Sequence, residues 1–486
     1  MRFISAIILT VVLLASAGCM VGPDYKTPDT ELPESFQDSG AKDFSTDAIE
    51  IEWWSGFNDP VLDKLIQEAL EGSYDIQIAT ARILEARALR TETEFQLAPI
   101  VPFNATYTKQ QVGESTVFPG VKRDSDLYQA GFDAVWELDF FGRIRRTIEA
   151  DTAEVQSREA QRRDVIVSLL AEVARNYFEL RGAQNQLDVA RRNAANQQNT
   201  LDLTITLLEG GRGTELDTSR ARAQLNNTLA IIPPLEARVR TTIYRIGVLT
   251  GRQPDAYLEE LLAPKPFPKI PDVVRIGTPV GLLERRPDIR VAERNLAGFT
   301  ASIGIATAEM FPQITLLGSI ALQADTFSGV FESGAGAFSI GPSIFWPAFD
   351  LGRVYQRVKA ADARTQAAFA EYQLTVLQAI EDVDSSLVEH NQQIVRYKYL
   401  AEAAADSEKA MKLARMRYDF GVASFLDVLD AERTLLQAQT QLAASETDLH
   451  TSLVAVYKSL GGGWEIYDES MAKAPANASA AGNQQK

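Results

Sequence analysis

The chain repeats itself at a fixed distance, and this limits its folds more than any other feature. FGRIRR at 141–146 returns as LGRVYQ at 351–356, and EGGRGTELD at 209–217 returns as DFGVASFLD at 419–427. ARAQL at 221–225 matches AERTL at 431–435, and LTG at 249–251 matches SLG at 459–461; the offset is 210 throughout (141 to 351, 459 from 249). Upstream, Asp75 pairs with Asp288 and Pro99 with Pro312, an offset of 213 (75 to 288), so a loop around 103–135 absorbs the difference. A period this long is far beyond that of solenoid repeats and marks a duplicated half-domain. With 486 residues, several domains or an elongated architecture are expected rather than one core.

Each half carries the same succession. A helix-rich segment (62–98 and 281–311) leads into two alternating stretches, then a very long helix (about 143–208 and 353–418), a Gly turn, and a shorter helix (214–250 and 424–460). Ile166, Leu170, Val173, Tyr177 and Leu180 are spaced 4, 3, 4, 3, and Val376, Ile380, Val383 and Leu387 are spaced 4, 3, 4. Such seams pack helices in long antiparallel pairs. A helix of roughly 70 residues at 1.5 Å per residue is about 100 Å long, more than most globular domains hold. Pro233 and Pro234 remove backbone donors inside the first returning helix, which predicts a kink.

The alternating stretches lie at 102–110, 127–136, 313–323 and 338–346. Each has about the length of a tilted transmembrane strand, roughly 9–11 residues, with aromatics near the ends. Four strands do not close a barrel, since small membrane barrels begin at about eight. Edges left open to lipid are prohibitively costly, so the chain is expected to oligomerise, and three copies give twelve strands. The fold class expected is mainly α with a small transmembrane β part.

Cys19 is the only cysteine, which excludes an internal disulfide framework and a Cys-rich metal site. It follows one positive charge (Arg2), an apolar run from Ile7 to Ala15, and the small residues Ser16, Ala17 and Gly18. This is the layout of a secretory signal over 1–18, too short for a stop-transfer helix. Beyond it no apolar run is long enough to span a bilayer as a helix. The arrangement resembles a bacterial lipobox, with Ser16 in place of the usual Leu. That resemblance implies a lipid on Cys19, and Met20 in place of Asp implies delivery to the outer membrane. The formal charge of -17 argues against nucleic acid as a partner, since phosphate binding needs a basic footprint.

No catalytic constellation is visible. His390 and His450 lie on different helices far apart in sequence, and solvated or interhelical roles fit them better than metal ligation. EGGRGTE at 209–215 lacks the Lys-Thr of a phosphate loop, and DVDSS at 382–386 lacks the Gly of a calcium loop. No cofactor or metal is expected beyond the lipid. The hairpin turns are more informative. Gly211 and Gly421 occupy equivalent places where a turn needs positive φ. Thr214-x-x-Asp217 and Ser424-x-x-Asp427 are capping-box patterns opening the returning helices. Asp430 lies one turn further in, on the face of Asp427 and Leu426, and capping does not explain it.

CMVGPDYKTP at 19–28, LLERRPDIRVAERNL at 282–296, RYDFGVASFLDVLDAERTLLQAQTQL at 417–442 and LGGGW at 460–464 resemble the outer-membrane efflux protein family of TolC, in its lipid-anchored branch. The resemblance covers the mature chain except its tail. It implies a homotrimeric duct, with a twelve-stranded barrel in the outer membrane and a helical tunnel across the periplasm. A periplasmic adaptor and an inner-membrane transporter would be its partners. The layout implied is a lipid anchor and extended segment at 19–61, a first repeat at 62–251 and a linker at 252–280. A second repeat at 281–461 and an end segment with a disordered tail at 462–486 complete it. A belt would draw on residues near 30–60, on the linker, and on the stretch after Gly461. Carried over by position, Asp427 and Asp430 would line the periplasmic constriction beside Leu426, and Tyr418 would tie the second hairpin to Asp217. An arginine latch that some relatives carry at this place is absent here, where Ala423 stands, and Arg212 could substitute for it. Gly211, Arg212, Gly421 and Val422 would form adaptor-docking tips. A protein-secretion duct and a non-pore periplasmic scaffold lipoprotein are the rival readings.

Overall fold

Helix alternates with hairpin strands twice along the chain, as the repeat requires. A computed structural model describes residues 20–37, 44–113, 123–271 and 273–467. Cys19, the signal segment and the tail after 467 lie outside the described residues. In order the elements are β1 (Phe44–Ser45), α1 (Pro60–Gly72), α2 (Tyr74–Phe95), β2 (Phe103–Gln111), β3 (Asp124–Leu138), α3 (Arg143–Glu209), α4 (Glu215–Leu229), α5 (Ile232–Leu249) and α6 (Leu258–Leu261). Then follow β4 (Val274–Arg275), α7 (Pro279–Arg285), α8 (Pro287–Ala308), β5 (Gln313–Ala324), β6 (Gly336–Phe345), α9 (Leu351–Asp419) and α10 (Phe425–Ser459).

The two long helices, of 67 and 69 residues, contain no proline. The Pro pair acts where it stands. The chain leaves helix at Ala230 and Ile231 and restarts with proline in the first turn of α5, where a missing N–H costs nothing. The second repeat lacks the pair, and α10 runs unbroken for 35 residues.

Compactness follows a division different from the repeats. One unit takes the N-terminal stretch to Asp29, Ala81–Glu159 and Val291–Leu374; the other takes Thr30–Thr80, Ala160–Arg290 and the chain from Thr375. Each draws on both repeats.

The first unit holds an antiparallel sheet in the order β2-β3-β5-β6. Its central pairing joins the repeats, β3 to β5, with Phe132 opposite Ile320 and Trp136 opposite Leu316. Gly131 is required by that pairing, because a Cβ there would lie 2.3 Å from the Ile320 carbonyl. Cross-strand aromatics add to the ladder: Phe103 and Phe132 meet edge to face at 5.3 Å, and Tyr107 stacks on Tyr128 at 4.6 Å. All nine residues of β2 are exposed, and β6 exposes Phe338, Ile340, Ile344 and Phe345. Neither β2 nor β6 has a second strand partner among the described residues. No described helix is long and apolar enough to cross a membrane.

The second unit is built on the helical seams. Ile166, Leu170, Val173, Tyr177 and Leu180 are all fully buried, as their spacing predicts. In the other seam Ala379 is buried and Ile380 is only half-buried, so the inward row runs Val376, Ala379, Val383, Leu387. Residue size misleads there: the small Ala379 lies on the inward row and the larger Ile380 turns partly aside. Gly182 marks a similar approach, since a Cβ would meet the Thr447 hydroxyl at 2.0 Å. The three stretches expected to form a belt meet in this unit. β1 pairs in parallel with β4, Trp53 stacks on Tyr457 at 4.9 Å, and Gly463 leaves room beside Trp54. Both histidines are buried between elements rather than solvated: His390 contacts Ser452, and His450 stacks on Phe267 at 4.5 Å.

Candidate functional site at the hairpin tips

Both long helices end in the same way. At the first, Arg212 N–H reaches the Leu207 carbonyl at 2.8 Å and Gly211 N–H reaches Leu208 at 3.0 Å. At the second, Val422 N–H reaches Arg417 at 2.9 Å and Gly421 N–H reaches Tyr418 at 2.8 Å. This double bond pattern is a Schellman turn, which needs a left-handed residue. Gly211 (φ +69°) and Gly421 (φ +73°) supply it. A Cβ at either place would meet nothing within 4 Å, so backbone conformation rather than space selects glycine.

The returning helices are capped unequally. Ser424 Oγ accepts the Asp427 N–H while the Asp427 carboxylate accepts the Ser424 N–H at 2.8 Å, a complete capping box. At the first tip Thr214 accepts the Asp217 N–H at 3.2 Å, but the Asp217 carboxylate takes the Thr214 hydroxyl, at 2.6 Å, instead of its N–H. The bonds from Ser424 hold the Asp427 carboxyl below the usual carboxylate range. Ser424→Ala is expected to destabilise the second tip by about 1 kcal/mol, read as an earlier loss of amide-exchange protection at the start of α10.

Gly211, Arg212, Gly421 and Val422 are exposed, as are Leu426, Asp427 and Asp430. Leu426 is 55% exposed although its neighbour Phe425 is buried. Asp430 is not a lone carboxylate, because Arg433 pairs with it at 2.7 Å one turn on. Tyr418 packs on Phe425, ring centroids 5.7 Å apart, beside a buried cluster of Ala194, Leu201, Ala221 and Leu225 that joins the two tips. Its hydroxyl makes no hydrogen bond to Asp217 among the described contacts. Burial first, and then the charges of Asp217 and Asp419, push the Tyr418 phenol up. Arg212 forms no ion pair among the described residues.

One charged residue here was not anticipated from sequence. Glu432 is 5% exposed between α3, α9 and α10; it accepts a hydrogen bond from Thr200 at 2.7 Å, with Arg415 at 4.0 Å. Its second oxygen and the Gln197 side-chain amide have no hydrogen-bond partner among the described residues. The signal was available: Val428, Glu432 and Leu435 are spaced 4 and 3, placing a carboxylate in the core row. Burial raises the Glu432 pKa against the opposing pull of Thr200 and Arg415. A carboxyl with a raised folded-state pKa costs stability once ionised. That cost is absent below the unfolded pKa, grows as pH rises to the folded pKa, and stays constant above it. Glu432→Gln is therefore expected to stabilise the protein at neutral pH by about 1 kcal/mol, with the gain over wild type vanishing in acid; matched thermal melts across pH check it.

Among the described residues no group of His, Cys, Asp and Glu is arranged to hold a metal ion. The tips thus offer exposed apolar side chains, capped acids and one acid–base pair at the open end of two helical hairpins. Against known proteins, the family model described as outer membrane efflux protein matches residues 65–252 and 279–462. Nodulation protein T of Rhizobium leguminosarum bv. viciae is 30% identical over 93% of this chain and 92% of its own. The outer membrane protein OprJ of Pseudomonas aeruginosa is 29% identical over 95% and 96%. Among solved structures, the outer-membrane channel OprN superposes with a TM-score of 0.86 at 40% identity, covering 92% of this chain and all of the other. The open-state MtrE channel of Neisseria gonorrhoeae gives 0.81 at 29%, covering 92% and 99%.

Proposed function

The chain belongs to the outer membrane efflux protein family and is an outer-membrane efflux channel, and we propose that it works as the homotrimeric exit duct of a three-part assembly. In this reading a periplasmic adaptor seats on the hairpin tips, an inner-membrane transporter supplies the energy, and small molecules pass through passively. The observation that carries it is the four-stranded sheet, whose two outer edges, on β2 and β6, meet no further strand among the described residues. Left open in lipid, each free backbone group costs several kcal/mol, roughly, whereas three chains close the ladder. The family is one of channels, not enzymes, and no catalytic role is assigned to any residue. Gly211, Arg212, Gly421 and Val422 form the docking surface in this reading. Asp427, Asp430 and Leu426 form the periplasmic constriction in this reading, with Tyr418 packed on Phe425 behind it and Asp217 capping the neighbouring hairpin. Cys19 carries the lipid that tethers the chain. Purified protein added to planar bilayers should produce discrete single-channel steps; a trimer that inserts and conducts no ions overturns the reading.

A further inference from the structure

The residues that follow Cys19 are clamped. Arg146 is 1% exposed, and its Nε donates to the Val21 carbonyl at 3.1 Å. Its Nη2 donates to the Gly22 carbonyl at 3.2 Å and to Asp24 at 2.8 Å, while Nη1 donates to Glu149 at 2.7 Å. The Tyr25 hydroxyl donates to Glu293 at 2.6 Å, and Arg294 covers its ring. Gly22 (φ +91°) lies against α8, where a Cβ would stand 2.4 Å from the Gly304 Cα. Met20 rests on Gly142, and the Val21 N–H donates to the Phe141 carbonyl at 3.3 Å. A buried guanidinium bound to backbone carbonyls of a terminal segment holds that segment in one place.

The fixed end sits beside a groove with an aromatic floor and a charged rim. Phe141 stacks on Phe311 at 4.7 Å, and both line a cavity of about 560 Å³ with Phe140, Pro312 and Pro347. Its charged rim is internally neutralised, with Arg143 paired to Glu137 and Arg357 to Glu309. The groove lies where β3 gives way to α3 and where α8 gives way to β5. Arginine–carboxylate pairs around an aromatic floor suit the boundary between headgroup and hydrocarbon better than open water.

We propose that this groove receives an acyl chain carried by Cys19. The proposal rests on the reading of Cys19 as lipidated. The occupant follows from where the chain enters: Val21, two residues after Cys19 in the sequence, is bonded to the groove wall at Phe141, and one peptide unit advances the chain by only about 3.8 Å. One acyl chain gives only marginal membrane binding by itself, so seating it on the protein makes the lipid part of the fold at the strand–helix junction.

Cells expressing the full chain are fed a fatty acid bearing a terminal diazirine, the membranes are irradiated, and cross-linked peptides are mapped by mass spectrometry. The expected result is label on the Cys19 peptide joined to peptides containing Phe141 or Phe311. Label on Cys19 with adducts only to phospholipid, or to strand residues away from the junction, overturns the groove and leaves lipidation standing. No label on Cys19 overturns lipidation, and the groove assignment with it. In a second arm, wild type and Cys19→Ser are reconstituted in phosphatidylethanolamine vesicles containing a photoreactive phospholipid. Adducts at Phe141 and Phe311 should rise several-fold in Cys19→Ser, where the groove is vacated. Equal adducts in the two proteins show that the chain's own lipid does not fill it.

Discussion

Phe338→Pro combined with Ile340→Pro is expected to leave detergent-solubilised protein at the mass of one chain, where wild type is expected at the mass of three. The choice of positions comes from β6 itself. This strand already contains Pro342, opposite Leu316, and proline is confined to edge strands with its nitrogen turned away from the ladder. Phe338 and Ile340 share the parity of Pro342, so their N–H groups point away from β5 as well. Substituting them spares the β5–β6 ladder and removes donors only from the side that a neighbouring chain must use. Ser339→Pro, of opposite parity, breaks the pairing with β5 and serves as the control for simple damage to the sheet. Each unmet backbone group within the bilayer costs several kcal/mol, roughly, and the loss is multiplied over three junctions. Light scattering corrected for bound detergent reads the mass, and planar-bilayer recordings should show conductance lost in parallel. A double variant that remains trimeric with normal conductance means the barrel does not close through β6.

Much of this was legible because it follows from periodicity. The strands read at 102–110 and 313–323 lie within a residue of β2 and β5. β3 extends beyond the stretch read at 127–136, reaching Asp124 and Leu138, because its outer end is polar. There Gln111 bonds Asp124 and Tyr107 bonds Asp126, pairings that an apolar alternation does not mark. The Gly turns were readable for a different reason: left-handed φ at a helix end leaves few alternatives to glycine. Contacts across long sequence distances were not readable. Arg146 sits in an ordinary polar helical context, and only the fold brings the Val21 and Gly22 carbonyls to it. The size of a residue also proved a poor guide to which one faces inward, as Ala379 shows beside Ile380. The Asp430–Arg433 pair was not anticipated from the sequence, although its spacing of three permits it, and it changes how the tip should be probed.

That pair sets the order expected in ion selectivity. In the proposed trimer Asp427 and Asp430 form rings, and crowded carboxylates attract cations into a narrow opening. The two positions do not carry the same net charge. Asp427 spends its hydrogen bonds on Ser424 and keeps its full negative charge, whereas Asp430 is matched by Arg433. Asp427→Asn therefore removes one negative charge per chain that no ion pair among the described residues matches, and should lower cation preference directly. Asp430→Asn leaves Arg433 uncompensated, so it adds a positive charge to a site that was neutral, and Asp427→Asn with Asp430→Asn should abolish the preference or turn it toward anions. Arg433→Gln unmasks Asp430 and should strengthen cation preference and block by multivalent cations from the periplasmic side. Because its capping bonds hold the Asp427 carboxyl below the ordinary range, the part of the preference due to Asp427 should persist in mild acid. Reversal potentials in a potassium chloride gradient at low ionic strength measure all four variants, since screening over about 10 Å at 0.1 M flattens the differences. The opposite signs of Asp430→Asn and Arg433→Gln are the decisive feature, because general damage to the tip moves both the same way. If neither variant shifts the reversal potential, these side chains stand off the ion path and the constriction lies elsewhere along the duct.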